Sequence, residues 1–158
     1  MMINSIENYQ LIDYNEIGWW NMSIKLISSE KDVKDFLNDL KNVLMDKDFN
    51  AKNDLDILQK KKLESPTDPF TTFNTLQALS FDLNDIVKQL LGLEVCDYIE
   101  TFVDDLGSHL PPFYTFGKDI NKHEVYIKVK IRDKKNHKVF CVSFHFARYP
   151  LPKIRPYI

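Results

Sequence analysis

Two runs near the end of the chain decide the fold: Glu124-Val-Tyr-Ile-Lys-Val-Lys-Ile-Arg-Asp133 and Lys138-Val-Phe-Cys-Val-Ser-Phe-His-Phe-Ala147. Successive side chains of a strand point to opposite faces, so each run sorts into two sets. In the first, Val125, Ile127, Val129 and Ile131 share one face, and Tyr126, Lys128, Lys130 and Arg132 share the other. In the second, Phe140, Val142, Phe144 and Phe146 form the expected core set, opposed by Cys141, Ser143 and His145. A loop over Lys134 to His137 would pair the runs as an antiparallel hairpin, with Tyr126 opposite His145 and Lys128 opposite Ser143. One face would then be wholly apolar. The other would carry a tyrosine, a serine, a histidine and three cations.

Working outward, Phe113 to Gly117 is aromatic and predicts a third strand, separated from the acidic Asp104-Asp105 by a loop that ends at Pro111-Pro112. Upstream the period changes. Ser29 and Asp32 form a helix-start signal, after which Val33, Phe36, Leu37, Leu40, Val43 and Leu44 recur at helical spacing, to a stop near Asp46–Asn50. Ser65 to Pro69 reads as a turn and then a helix start, with Pro69 in the first turn of a short helix that runs to about Leu79. Another is capped by Asp82 and Asp85, buries Ile86, Val87, Leu90 and Leu91, and stops at Gly92. Val95, Tyr98, Ile99 and Phe102 suggest one more helical face. Helices followed by a small antiparallel sheet of about three strands indicate an α+β fold. The chain divides into an N-terminal arm, 1–27, a single α+β domain, 28–148, and a proline-rich tail, 149–158. The arm carries Tyr9, Tyr14, Trp19 and Trp20 without a clean period, and a strand-like phrase at Ser23 to Ile27. It either packs on the domain, covers a groove or reaches a partner.

At 158 residues, 44% apolar and 28% charged, the composition is that of an ordinary globular chain. No run approaches the ~20 apolar residues of a membrane span, and the start lacks the pattern of a secretory signal. Cys96 and Cys141 sit in apolar phrases and read as buried thiols in a reducing cytoplasm. The net charge of −2 is unevenly spread: from Lys118 onward the chain has 11 Lys and Arg against 3 Asp and Glu. That basic end suits either nucleic acid or the acidic helical portion of the same chain.

The polar hairpin face offers chemistry. His145 can exchange a proton near neutral pH, Lys128 can stabilise charge on a phosphoryl group, and Tyr126 can stack a base or donate a hydrogen bond. Those roles suit metal-free RNA cleavage, in which the ribose 2′-hydroxyl is the nucleophile. The same residues are also what an ordinary solvent-facing sheet surface holds. Metal chemistry has little support. Cys141 and His145, four apart on a strand, lie about 13 Å from one another, and His109, His123 and His137 are isolated loop residues. The Lys60-Lys61-Lys62 run reads as a solvated face, and Cys141, between Phe140 and Val142, as an inert thiol.

Several phrases resemble MqsR-type toxins, a RelE-like family. Leu79 to Tyr98 is similar to the helical part of that family, with Gly92-Leu93 ending a helix and the Asp-aromatic pair Asp97-Tyr98 following. Val125-Tyr-Ile-Lys128 resembles its Val-Tyr-(Leu/Ile)-Lys strand, and Val142-Ser-Phe144 its closing Val-Ser-Phe. The resemblance covers roughly Asp54 to Phe144. It implies a RelE-like α+β toxin fold, metal-independent cleavage of messenger RNA with no cofactor, and neutralisation by a cognate antitoxin protein. It carries a functional role over to Tyr126 and Lys128. Glu100 stands where the family has a functional lysine, His145 where it has a basic residue after Val-Ser-Phe, and Pro111, Pro112 and Phe113 where it has a loop glutamine. The expected site is therefore Tyr126, Lys128 and His145 as catalytic residues, with Lys118, Lys130, Arg132 and Arg148 holding the RNA backbone. The rival expectation is a non-catalytic interaction module or small inhibitor from a mobile element, gripping a partner protein through its acidic helices or its Trp19-Trp20 arm.

Overall fold

The computed structural model describes residues 23–158. Tyr9, Tyr14, Trp19 and Trp20, on which the expectations for the arm rest, lie outside the described residues. The phrase at Ser23 to Ile27 supplies strand β1 (Lys25–Leu26). Helix α1 (Glu30–Met45) follows, capped by the Ser29 side chain, which accepts from the Asp32 N–H. Its six periodic residues, Val33, Phe36, Leu37, Leu40, Val43 and Leu44, are all buried. Each contributes about 1.5–3 kcal/mol relative to exposure. A one-turn helix α2 (Ala51–Asp54) leads into β2 (Leu55–Ile57), the short apolar phrase of an otherwise polar connection.

Helix α3 (Thr72–Leu79) is capped by Thr71, so Pro69 precedes the helix rather than sitting in its first turn. Helix α4 (Leu83–Leu91) carries a capping box between Asp82 and Asp85 and ends at Gly92. A 3₁₀ turn (Val95–Asp97) then opens strand β3 (Tyr98–Phe102), followed by β4 (Phe113–Ile120), β5 (His123–Asp133) and β6 (Lys138–Phe146). The fold is α+β, but among the described residues the sheet has six strands rather than about three, in the order β1-β3-β4-β5-β6-β2. It is mixed: β2 runs parallel to β6, and the other pairs are antiparallel.

The segment expected as a final helix, 95–102, is a strand from Tyr98 on because a β-bulge lies within it. Tyr98 pairs with Phe116 and Glu100 with Thr115, so Ile99 is the extra residue. The bulge puts Tyr98 and Thr101 on the same face, three residues apart, which imitates a helical period. The bulge is held by Thr115, whose Oγ1 accepts from the Glu100 N–H at 3.1 Å and donates to the Glu100 carbonyl at 2.7 Å.

A second bulge corrects the reading of the hairpin. Tyr126 does pair with His145 and Lys128 with Ser143, but Val129 then pairs with Cys141, leaving Val142 as the extra residue. Beyond it the phase of β6 reverses. Cys141 and Val139 join Val125, Ile127, Val129, Ile131 and Phe144 in the main core under the helices. Phe140 and Val142 turn to the opposite face and form a small cluster with Phe113, Leu58 and the half-buried Phe102. The expected core set is thus split between two faces, and the face expected to be polar has an apolar floor.

Beyond Cys141, β6 has no ladder partner on its β2 side among the described residues. Two N–H groups there, of Phe144 and Phe146, donate to Thr72 Oγ1 at 3.2 Å and Thr75 Oγ1 at 3.0 Å on α3. The tail lies along the other end of the sheet. Arg155 donates to the Gly117 carbonyl at 2.6 Å, and Tyr157 stacks on Tyr98 with ring centres 5.9 Å apart.

Cys141 is buried, but Cys96, expected to be buried, is exposed on the 3₁₀ turn. Among the described residues no helix is long and apolar enough to cross a membrane.

Candidate functional site

The loop-covered face of the sheet is organised in cross-strand rows. Glu100, Thr115, Lys128 and Ser143 stand side by side across β3, β4, β5 and β6; the next row holds Gly117, Tyr126 and His145. A cleft of about 300 Å³ opens over these rows, lined by Lys61, Glu64, Phe102, Tyr126, Lys128, Ser143, His145 and Arg148. It therefore gathers Tyr126, Lys128, His145 and Arg148 from the expected set.

The other three expected cations are engaged elsewhere. Lys118 pairs with Val125 on the helix-covered face and donates to the Gly92 carbonyl at 2.8 Å, satisfying the end of α4. Lys130 is 4% exposed and meets Asp104 at 2.5 Å. Arg132 bonds Asp56 at 2.8 Å and lies over the Phe140 ring at 3.9 Å. Burial lowers the affinity of both Lys130 and Arg132 for their protons, opposed by Asp104 for the first and by Asp56 and Asp104 for the second.

Lys128 is itself mostly buried, 7% exposed, with its ammonium 4.1 Å from the Phe102 ring centre and 5.2 Å from that of Phe113. The charged end of Lys128 itself thus rests against two aromatic faces at the wall of the cleft. Arg148, just past β6, bonds Asp68 at 2.7 Å and Glu64 at 3.6 Å, and its guanidinium lies 5.2 Å from the Phe70 ring. Glu64 is held in turn by the Lys61 N–H at 2.7 Å.

His145 has a defined tautomer. Its Nδ1 lies 2.9 Å from the Phe146 carbonyl, which can only accept, so Nδ1 carries the proton. Nε2 is then a lone pair with no hydrogen-bond partner among the described residues. Desolvation is the largest influence on the ring and pushes its pKa down to about 4, partly offset by the bond to Phe146. At neutral pH His145 is therefore an uncharged proton acceptor. The Tyr126 ring lies beside it, 5.6 Å between centres. Ser143 is fully buried, and its Oγ has no hydrogen-bond partner among the described residues.

Lys61, Glu64, Phe102 and Ser143 join the site without having been expected there. Ser143 was visible as a polar residue facing Lys128. Phe102 was masked by the β3 bulge. Lys61 and Glu64 come from a loop whose path no local pattern announces. Burial raises the Cys141 thiol to about 12, in keeping with an inert residue. Among the described residues no group of three or more His, Cys, Asp and Glu side chains is placed to share a metal ion.

Comparison with known proteins finds no matching family model, no matching curated protein and no matching solved structure.

Proposed function

We propose that this cleft cleaves RNA without a metal, as the resemblance to MqsR-type toxins implies, and that the protein acts on messenger RNA in the cytoplasm under the restraint of an antitoxin protein. The observation that carries the reading is the convergence of Tyr126, Lys128 and His145 on one cleft, with His145 Nε2 an acceptor that has no hydrogen-bond partner among the described residues.

In this reading a ribose 2′-hydroxyl donates to His145 Nε2 and attacks the adjacent phosphorus. The proton passes to the ring, the bond from phosphorus to the 5′ oxygen breaks, and that oxygen takes a proton from water at the cleft mouth. The products are a 2′,3′-cyclic phosphate and a 5′-hydroxyl end. Lys128 offsets the charge growing on the phosphoryl oxygens, and Tyr126 offers a face for the neighbouring base. Because the nucleophile belongs to the substrate, the protein supplies only position, proton transfer and countercharge.

The test is cleavage of an RNA oligonucleotide in chelator, with the DNA counterpart as control. Lys128→Ala should lower kcat about 10²–10³-fold and His145→Ala about 10²–10⁴-fold. Intact RNA in the presence of folded wild-type protein refutes the reading.

The second reading is a protein-interaction module without catalysis. It is favoured by Glu100, which stands in the Lys128 row paired with Lys25 at 3.8 Å, where the family has a functional lysine. Stoichiometric capture of one protein that Lys128→Ala leaves unchanged, together with absent cleavage, selects it.

A further inference from the structure

A larger groove, of about 520 Å³, shares no lining residue with the cleft over Tyr126. It lies between α1, the start of β4 and the end of β5. Buried Phe36 and Ile131 and half-buried Tyr114 form its floor. Phe36 and Tyr114 stack with ring centres 4.0 Å apart. The rim is acidic. Asp32, Asp35 and Asp39 recur at i, i+3 and i+7 along one stripe of α1, and Asp133 stands at the end of β5.

Each charge around the groove can be followed to its partner. Arg132 is taken up by Asp56 and the Phe140 ring. Lys134 meets Asp39 at 3.1 Å, and Lys31 meets Asp35 at 2.6 Å. Asp133 accepts from the Asn136 N–H at 3.1 Å and from Asn136 Nδ2 at 2.7 Å, both neutral donors. These bonds do most to hold its carboxyl below the ordinary range, and the charge of Lys135 in the turn does least. Pairing therefore exhausts the cations in contact and leaves two carboxylates, Asp32 and Asp133, on different elements. The negative field reaches the floor: burial raises the Tyr114 phenol against a bond with Ser28, and the charges of Asp32 and Asp35 raise it further. Phe102, Phe113 and Phe140 each lie under a cation of this chain, whereas among the described residues no Lys or Arg lies over Phe36 or Tyr114.

An aromatic floor inside an acidic rim matches a segment that is both apolar and basic. From Asp32 to Asp39 the helix rises about 10 Å, the span of about three extended residues, so a short stretch of chain fits. This chain does not supply one. Residues 1–22 hold Glu7, Asp13 and Glu16 and no Lys or Arg, and the basic tail is already laid on Gly117 and Tyr98.

We propose that the groove beside α1 docks a partner protein through a short extended segment in which apolar residues alternate with Lys or Arg. The apolar side chains face Phe36, Tyr114 and Ile131, and the long cationic ones reach Asp32 and Asp133 at the rim. An antitoxin or a partner of a non-catalytic module would use the groove alike, so the proposal stands apart from the ribonuclease reading.

Fluorescence anisotropy of the full chain with the labelled peptide Lys-Leu-Arg-Leu-Lys tests it, with Glu-Leu-Glu-Leu-Glu and Lys-Gly-Arg-Gly-Lys for comparison. The first peptide should bind, more weakly as salt rises, and the acidic one should not. The glycine peptide keeps the charge without the apolar side chains and should bind about tenfold more weakly. Asp32→Asn with Asp133→Asn should weaken the leucine peptide about fivefold to tenfold. Asp32→Asn alone leaves the turn at Asp133 intact, should weaken it about twofold to fourfold, and serves if the double variant does not fold. Glu30→Gln with Asp48→Asn removes the same charge outside the groove and should change affinity by less than about twofold. Lys128→Ala should leave the affinity as it is, which keeps this test separate from that of the cleft. Equal binding by wild type and both groove variants, or a glycine peptide held as tightly as the leucine peptide, overturns the groove. A dimer of the chain in sedimentation that Asp32→Asn disperses gives the groove to a second copy and overturns the basic partner.

Discussion

Removing the Asp104 carboxylate should be among the most damaging single changes to this protein, and the damage should fall on stability. Lys130 and Asp104 are 4% and 0% exposed in their side chains and meet at 2.5 Å. Lys130 also donates to the Pro111 carbonyl at 3.3 Å and lies 4.7 Å from the Phe113 ring centre. Asp104→Ala leaves the ammonium buried without its counter-charge, a loss of about 3–5 kcal/mol. That is a large part of the 5–15 kcal/mol that holds a typical domain together.

The loss should also depend on pH. Burial already lowers the folded pKa of Lys130 below 10.5, and loss of Asp104 lowers it further. The unfolded chain then binds the proton that the folded chain gives up, so stability rises with pH and the deficit shrinks toward pH 10. Asp104→Leu with Lys130→Met removes both charges and should return to within about 1 kcal/mol of wild type, or exceed it. Urea unfolding with an unchanged m-value is the assay. A loss below about 1 kcal/mol for Asp104→Ala, the value of an exposed pair, refutes the placement of this pair. The double variant should still bind RNA, because Lys130 is committed to the fold.

Two further outcomes follow from the geometry. His145, with its pKa held near 4 against an ordinary 6.5, makes the unfolded state the better proton binder between those values. Its contribution is therefore complete above about pH 6.5 and is lost as pH falls toward 4, up to about 3 kcal/mol; His145→Gln should flatten unfolding free energies across that window, and an unchanged slope counts against the desolvated ring. Gly117→Ala would place a Cβ 2.6 Å from Leu151 Cδ1 and 2.9 Å from Arg155 Nη2, so these two side-chain ends must shift and the Arg155 bond to the Gly117 carbonyl is weakened, at about 0.5–1.5 kcal/mol. Limited proteolysis should then cut after Lys153 faster than in wild type, and an unchanged rate refutes the contact.

The helices were legible because their signals are local. Ser29 and Asp82 cap, Gly92 stops, and the apolar residues of α1 recur at one helical period. The pairing of Tyr126 with His145 was legible because alternation and a short loop fix it. What escaped was phase. Alternation carries across a strand only until an extra residue is inserted, and the bulges at Ile99 and Val142 each insert one. The first gave β3 the look of a helix, and the second moved Phe140 from the main core to the floor of the cleft. Strands β1 and β2, of two and three residues, are too short to show any period. Charge alone groups Lys118, Lys130 and Arg132 with the site, but charge in a sequence does not say which partner claims it. Gly92, Asp104 and Asp56 are each distant in the chain. Glu64 and Lys61 reach the cleft through a loop path that only long-range contacts determine.

The two threonines of α3 have a consequence for how the molecule behaves in company. An uncovered strand edge with free N–H groups is a template on which another chain can add a strand, the first step of edge-to-edge aggregation. Beyond Cys141, where β2 has turned away, Thr72 and Thr75 occupy two of those donors with hydroxyl oxygens carried on a helix. A hydroxyl satisfies one donor and offers no continuing ladder, so the half of β6 that carries Ser143 and His145 is closed to strand addition from a neighbouring molecule.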